Sequence, residues 1–137
     1  MKTTITLIFS RKGQALRLSE DHTAKNTEEA KRIEETGGFI INGRVNGQIM
    51  ITRSLGDHLM KEFIINKPYI FNTKLEDDDN FLIVACDGLW DVIEDQQAVD
   101  FLLENKELSC NDLAKRLVVK ALESGSTDNL SVIVLKL

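Results

Sequence analysis

The sequence predicts an α+β domain with mostly antiparallel sheets, and three observations lead to this prediction. First, strand-like segments come in neighbouring pairs, such as Thr3–Phe9 and Gln14–Leu18 around the turn Arg11-Lys12-Gly13. Second, helical patterns follow one another over about residues 89–124, without strands between them. Third, the run Phe81–Cys86 is apolar throughout, which is typical of a central strand. Separate runs of strands and of helices indicate α+β architecture, not a doubly wound parallel sheet.

The elements are predicted in order from β-branched runs, apolar periodicity and turn residues. Strands are expected at Thr3–Phe9, Gln14–Leu18, Phe39–Ile41, Gln48–Arg53, Tyr69–Leu75, Phe81–Cys86 and Asn129–Leu137. Helices are expected from Thr27 to Gly37-Gly38 and at about Leu89–Ile93, Gln96–Glu104 and Asn111–Ser124. Thr27 and Ser109 are predicted to cap the first and last of these helices. We expect Phe81–Cys86 to be covered on both faces.

Composition and charge restrict the classes of function. The 137 residues are 42% hydrophobic and 28% charged, which is ordinary for one folded domain. The net charge is -5, and the excess of acidic residues lies in residues 75–137. An acidic segment of this kind favours bound cations over nucleic acid. No apolar run reaches the roughly 20 residues of a membrane span, and no signal peptide is recognisable. With only two cysteines, the expected location is the cytoplasm or nucleus, and secretion is not expected.

An apolar strand followed by two aspartates is the feature that most strongly indicates chemistry. In the segment Ala85–Asp91, the strand would deliver Asp87 at its end, and Gly88 lets the chain turn there. If a helix begins at once, Asp91 lies one turn after Asp87 on the same face. Close carboxylates repel each other, and a hard cation such as Mg2+ or Mn2+ relieves that repulsion. Alternatively, Asp87 only caps the helix and Asp91 is a solvated surface acid.

A second candidate aspartate precedes the last predicted strand, in Ser126-Thr127-Asp128-Asn129. If that strand pairs with Phe81–Cys86, Asp128 approaches Asp87. The alternative is an ordinary helix-to-strand turn rich in small polar residues.

Other polar residues are weaker candidates. Asp57 follows the predicted strand Gln48–Arg53 and either supports the site or belongs to a simple β-turn. Asp77-Asp78-Asp79 fails the pattern of a calcium-binding loop and is predicted to be a hydrated hairpin tip. No ligand role is expected for His22 or His58, which are isolated in the sequence.

Taken together and in order, these motifs resemble those of the metal-dependent protein serine/threonine phosphatases, the protein phosphatase type 2C family. The resemblance covers nearly the whole chain, and its most specific segments are Asp87-Gly88-Leu89-Trp90-Asp91 and Ser126-Thr127-Asp128-Asn129-Leu130-Ser131. Further segments that carry it are Ala15–His22, Glu29–Gly38, Arg44-Val45-Asn46-Gly47, Arg53-Ser54-Leu55-Gly56-Asp57 and Pro68.

The resemblance implies that residues 1–137 form the C-terminal part of a two-sheet antiparallel β-sandwich flanked by helices. It implies a centre with Mn2+ or Mg2+ ions, in which Asp87 and Asp128 are ligands and Asp91 helps to hold a weaker metal. Asp57 would support the site, and Arg53 would be structural. The implied reaction is hydrolysis of phosphoserine or phosphothreonine in a phosphoprotein by water that the metal ions activate.

The N-terminal motifs of the family, which supply further metal ligands, a phosphate-binding arginine and a general-acid histidine, have no counterpart in this chain. We therefore expect a half-built metal site and very low activity for the chain alone. Exposed sheet surfaces should also favour a homodimer or a domain-swapped assembly. The sequence leaves three hypotheses open: a fragment of an active phosphatase, a non-catalytic pseudophosphatase or interaction module, and an acidic Ca2+-binding domain.

Overall fold

The computed structural model describes residues 4–137, which group into two compact units. The first unit comprises residues 21–70, and the second comprises residues 4–20 and 71–137. The strands are β1 (Ile5–Arg11), β2 (Gln14–Arg17), β3 (Ile40–Ile41), β4 (Arg44–Val45), β5 (Asp79–Cys86) and β6 (Val132–Lys136). The helices are α1 (Thr27–Glu35), α2 (Asp87–Trp90), α3 (Asp95–Glu104) and α4 (Cys110–Glu123), with a 3-10 helix at His58–Met60. Among the described residues, no helix is long and apolar enough to cross a membrane.

The second unit is built on a four-stranded sheet with the order β2-β1-β5-β6. All three pairings are antiparallel, so the prediction of antiparallel sheets accompanied by helices is confirmed. The predicted strand Phe81–Cys86 forms most of β5 and lies between β1 and β6, with Ile83 opposite Ile8 and Val134. The residue Thr3, where the first strand was predicted to begin, lies outside the described residues.

The two faces of β5 are covered to different extents. Ile83 and Ala85 are buried in a core that includes Leu102 of α3 and Leu117 of α4. Leu82 and Val84, which alternate with them and point to the other face, are only partly buried. The prediction that this strand is covered on both faces is therefore confirmed for the face against which α3 and α4 pack, whereas the other face is covered only in part.

Helix α4 follows its predicted pattern with one exception. The Ser109 side chain accepts a hydrogen bond from the Asp112 N–H, so the predicted cap is confirmed. Leu113, Leu117 and Ala121 are buried and form the core-facing stripe. Leu122, which was predicted to belong to that stripe, is 55% exposed, because it lies beyond the edge of the buried face.

The acidic segment 77–79 differs from the hydrated hairpin tip that the sequence predicted. Asp79 begins β5 and is buried, and its carboxylate accepts hydrogen bonds from Arg11 Nε at 2.7 Å and Nη2 at 2.8 Å. These hydrogen bonds lower the pKa of the Asp79 carboxyl below its ordinary value. Residues 69–75, all of which the structure describes, are exposed and form no strand, so the first strand of the predicted hairpin is absent.

In the first unit, α1 has a different cap from the one predicted. The Asn26 side chain accepts hydrogen bonds from the N–H groups of Glu28 at 2.9 Å and Glu29 at 3.3 Å. Asn26 has the extended backbone of a capping residue, whereas Thr27 is already the first helical residue. The helix ends where predicted, with Gly37 in the left-handed conformation.

The predicted strand Gln48–Arg53 is also absent. Asn46 and Gly47 both have positive φ, so the chain reverses directly after β4. Residues 48–53 then make isolated bridges, such as Val45 with Ile49 and Arg53 with Ile65, in place of a continuous ladder. Ile33, Val45 and Ile64 are fully buried and form the core of this unit.

A buried carboxylate connects α1 to the rest of the first unit. Glu29 is 3% exposed and accepts hydrogen bonds from both Arg53 and Arg32. Arg53 also donates to the Lys67 carbonyl and Arg32 to the Phe63 carbonyl, so Arg53 makes the structural contacts expected of it. Burial by itself raises the pKa of Glu29, but the hydrogen bonds from Arg53 and Arg32 outweigh burial and lower the pKa to about 2.

We predict that ionised Glu29 stabilises the protein at neutral pH. Because its folded-state pKa lies below the reference value of 4.5, this contribution is present above about pH 4.5 and is lost as the pH falls towards 2. Glu29→Gln should therefore reduce the free energy of unfolding at pH 7 by about 1–3 kcal/mol and flatten its decline in acid. Urea unfolding at pH values from 7 to 3 measures both effects.

Glu28→Gln is the matched control, because it removes the same charge from the same helical turn at an exposed position. Equal pH dependence in the two variants would contradict a special role for Glu29.

Candidate functional site

The end of β5 places Asp87 at the start of a short helix. Helix α2 begins at Asp87, directly after the strand and two residues before the predicted start at Leu89, and Asp87 is only 5% exposed. Its N–H donates to the Thr4 carbonyl at 3.1 Å, and Trp90 Nε1 donates to the Ala85 carbonyl at 3.0 Å. Asp91 is exposed at the C-terminal end of α2, where its N–H donates to the Asp87 carbonyl at 2.8 Å. The strand end and the helix therefore form one hydrogen-bonded corner.

The segment 126–131, which we call the 126–131 loop, lies against this corner. Strand β6 begins just after the loop and pairs with β5, with Val132 opposite Ala85, so the predicted pairing of these strands is confirmed. The Cys86 N–H donates to the Ser131 carbonyl at 3.1 Å, which continues the ladder into the loop. Because the strands are antiparallel, the end of β5 and the start of β6 lie at the same edge of the sheet.

Side chains add to the contact between the corner and the loop. Ser126 Oγ donates to the Gly88 carbonyl at 2.7 Å. Cys86 Sγ donates to the Asn129 carbonyl at 3.1 Å and accepts from the Ser131 N–H at 3.2 Å. The 126–131 loop is thus attached to both sides of Asp87.

Gly88 allows the two backbones to come this close. A β-carbon at Gly88 would stand 2.2 Å from the Asn129 carbonyl oxygen, which is far inside van der Waals contact. The sequence suggested that this glycine serves the turn, but its φ is not positive and the close approach is what requires it.

The three candidate aspartates of this region differ in their surroundings. Asp87 is buried, whereas Asp91 and Asp128 are exposed. Asp128 Oδ1 accepts a hydrogen bond from the N–H of Asn129 at 2.8 Å, which fixes the local turn. A buried carboxylate carries a large desolvation cost that a cation or hydrogen-bond donors offset, so burial allows Asp87 to serve either as a cation ligand or as a hydrogen-bond acceptor.

The carboxylates present do not complete a metal centre. Over residues 4–137, no group of three or more His, Cys, Asp or Glu side chains is arranged to hold a metal ion. One or two carboxylates suit a single hydrated Mg2+ ion, but they are too few for the two-ion centre that the resemblance implies. The ligand roles of Asp87, Asp91 and Asp128 therefore stay predictions.

Asp57 lies in the first unit and makes local contacts there. It is exposed, with a left-handed backbone at φ 48°, and it precedes the 3-10 helix His58–Met60. Its carboxylate accepts a hydrogen bond from Ser54 Oγ, as in a polar turn. Its supporting role in a site stays a prediction.

The sequence patterns do not single out the side chains that hold the corner itself together or attach the loop to it. These are Ser126, Cys86 and Trp90, each of which bonds to a backbone group. Ser126 had a recognisable signal, because a serine in a helix-to-strand turn commonly bonds to nearby backbone. The partner of each side chain follows only from the folded arrangement.

Comparisons with known proteins place the chain in a family. A family model for protein phosphatase 2C matches residues 4–130. The chain is 44% identical to Protein phosphatase 2C homolog 1 of Saccharomyces cerevisiae over 128 residues, which cover 93% of this chain and 45% of the relative. It is 42% identical over 132 residues to Protein phosphatase 2C homolog 1 of Schizosaccharomyces pombe, with 96% of this chain and 38% of the relative covered.

Solved structures agree with the sequence comparisons. A sex-determining protein of C. elegans superposes with a TM-score of 0.85 at 31% identity, covering 96% of this chain and 34% of that one. A phosphatase of Toxoplasma gondii superposes with a TM-score of 0.83 at 26% identity, covering 99% of this chain and 47% of that one. The chain therefore spans less than half the length of these relatives. Because the family model and the relatives match most of its residues, the chain belongs to the protein phosphatase 2C family.

Proposed function

We propose that this chain contributes part of the metal site of a metal-dependent protein serine/threonine phosphatase. The observation that carries the proposal is the contact of the 126–131 loop with the corner at Asp87. This contact brings the segments of Asp87 and Asp128 to one edge of the sheet. Membership of the protein phosphatase 2C family supports this reaction class, and the substrate would be a phosphoserine or phosphothreonine in a phosphoprotein.

In this proposal, Asp87 and Asp128 hold Mn2+ or Mg2+, and Asp91 contributes to a weaker site. When bound, such ions activate water and neutralise charge on a phosphoryl group. The protein's own contribution is to keep the Asp87 carboxylate buried and oriented at the start of α2, with Asp128 on a loop fixed by hydrogen bonds. Asp57 is proposed as a supporting residue.

We propose that the donor set of the described residues is incomplete and that the chain alone therefore binds metal weakly. Among the described residues, no three metal-binding side chains converge, and hard divalent cations bind tightly only when enough oxygen ligands surround them. The relatives are more than twice as long as the matched region, so they have additional chain from which ligands can come.

Metal binding to the chain should depend on Asp87 and Asp128. Asp87→Asn and Asp128→Asn are each expected to weaken Mn2+ binding about 10- to 100-fold, since each substitution removes a negatively charged oxygen ligand. Isothermal titration calorimetry with MnCl2 measures the change.

Asp77→Asn is the matched control, because Asp77 is an exposed acid of the same unit outside the proposed site. If Asp77→Asn weakened binding as much as Asp87→Asn, diffuse attraction to the acidic surface would explain the binding and the proposed site would be wrong. Calcium binding that survives both Asp87→Asn and Asp128→Asn would favour the acidic Ca2+-binding hypothesis.

Hydrolysis by the isolated chain should be very low or absent. The reason is the incomplete donor set described above, which cannot hold two ions tightly. Release of phosphate from a phosphothreonine peptide in the presence of Mn2+ measures this activity. Turnover as fast as that of the full-length Saccharomyces cerevisiae relative, assayed in parallel, would contradict the prediction.

A non-catalytic pseudophosphatase or interaction module is the second candidate function. It is favoured by the same absence of a three-ligand group in the described part of the chain. One experiment distinguishes the two candidates. The portion of a relative that this chain does not match is added, and Mn2+ binding and turnover are measured. Absence of both supports the non-catalytic candidate.

We also propose that the chain self-associates through the outer face of its four-stranded sheet. Ile5, Ile133 and Leu135 on that face are 62%, 58% and 44% exposed. They alternate along β1 and β6 with residues of the core face, so they form one apolar surface. An exposed apolar sheet face favours association with a second copy.

The expected solution state is a homodimer or a domain-swapped assembly. Light scattering coupled to gel filtration should give a dimer mass, and Ile133→Lys should shift it to a monomer by placing a charge in the interface. Val119→Lys is the control, because Val119 is 51% exposed on α4. A monomer at every concentration of the parent chain would rule out self-association.

A further inference from the structure

We propose that Ser126 is a positioning residue, which holds the 126–131 loop on α2 and thereby sets the position of Asp128 relative to Asp87. The inference rests on the proposed function for its metal-binding consequence, but the contact that it describes is independent of metal. It assigns a role to a side chain that is not itself an acid or a ligand.

The Ser126 hydroxyl group bonds to the residue that follows Asp87. Ser126 Oγ donates to the Gly88 carbonyl at 2.7 Å, and Gly88 is the residue directly after Asp87. Ser126 is also two residues before Asp128. This hydrogen bond therefore joins a residue next to Asp87 to a residue two positions from Asp128, across 38 residues of sequence.

The two ends of the 126–131 loop are held by different hydrogen bonds. Toward its β6 end, the loop is attached by the sheet ladder and by Cys86, through Ser131 and Asn129. Toward α4, the Ser126 N–H donates to the Ala121 carbonyl, which continues the end of the helix. At this α4 end of the loop, the Ser126 hydroxyl group donates the hydrogen bond that ties the loop to α2.

Gly88 makes the same contact sensitive to small displacements. Because Gly88 has no side chain, the Asn129 carbonyl oxygen can lie only 2.2 Å from the point where a β-carbon would stand. Any loss of the Ser126 bond allows the loop to move away from α2, and any added atom at Gly88 forces it away. Both changes should separate the Asp87 and Asp128 segments without altering either carboxylate.

The thiol of Cys86 reports on the loop in the absence of metal. Its sulfur lies between the Asn129 carbonyl and the Ser131 N–H, and the partly exposed residue should become more accessible when the loop opens. Cys110 is the other cysteine of the chain, and Cys110→Ser leaves Cys86 as the single thiol. All variants are compared in this background, by the rate of labelling with a disulfide reagent.

The test combines thiol labelling, Mn2+ titration and thermal unfolding of the full chain. Ser126→Ala should raise the Cys86 labelling rate roughly 3-fold or more and weaken Mn2+ binding about 3- to 10-fold, because one hydrogen bond is lost. Gly88→Ala should act in the same direction. Ser126→Thr retains the hydroxyl group and should restore both values to those of the parent chain. Ser124→Ala is the control, because it removes an exposed hydroxyl at the end of α4.

The outcomes separate this inference from the proposed function. An unchanged labelling rate together with unchanged Mn2+ affinity in Ser126→Ala would overturn the positioning role. This holds even if the melting temperature falls, because the hydroxyl group would then contribute to stability alone. If the parent chain binds no Mn2+ but Ser126→Ala still increases labelling, the loop contact is upheld and the proposed metal site fails. Equal effects of Ser124→Ala and Ser126→Ala would also overturn the inference.

Discussion

The close contact between the start of α2 and the 126–131 loop is the constraint on which the candidate site depends. The Asn129 carbonyl lies so close to Gly88 that a β-carbon at position 88 would clash with it. The pairing of β5 with β6 brings these two segments together. An antiparallel pair places the end of one strand beside the start of the next, so a motif at each of these positions meets at one sheet edge. The chain between them, which includes α3 and α4, packs on the core face and stabilises that pairing.

Buried carboxylates in this protein are held in different ways. Glu29 and Asp79 each lie against arginine side chains, and in both cases the hydrogen bonds lower the pKa of the carboxyl. Such pairs keep a charge ionised inside a fold, and they connect segments that are distant in sequence. Asp87 instead sits at a strand end, beside a loop that carries a second carboxylate. Its position at an edge of the sheet, next to a polar loop, is the observation that supports the proposed ligand role of Asp87.

Membership of the protein phosphatase 2C family and the arrangement of the described carboxylates are both consistent with the proposal that this chain contributes part of a metal site. The chain matches less than half the length of its relatives, and its described residues contain no group of three metal-binding side chains. In the proposed metal site, the hydrogen bonds of Ser126, Cys86 and Trp90 would hold the segments of Asp87 and Asp128 in place.

The sequence by itself determined the elements with strong local patterns and the motifs that identify the family. The central strand Phe81–Cys86 and the periodic helix α4 were predicted correctly, because apolar periodicity and capping residues are local properties. A helix was also expected after the strand, but at about Leu89–Ile93, whereas it lies at Asp87–Trp90. Only the tertiary structure decided the weaker elements: Gln48–Arg53 and Tyr69–Leu75 have strand-forming residues, but they find no continuous partner strand. Likewise, the aspartates were recognisable from their motifs, whereas the hydrogen bond of Ser126 and the close approach at Gly88 were not. Contacts between residues far apart in sequence depend on how the strands pair, and the residue types alone do not specify that geometry.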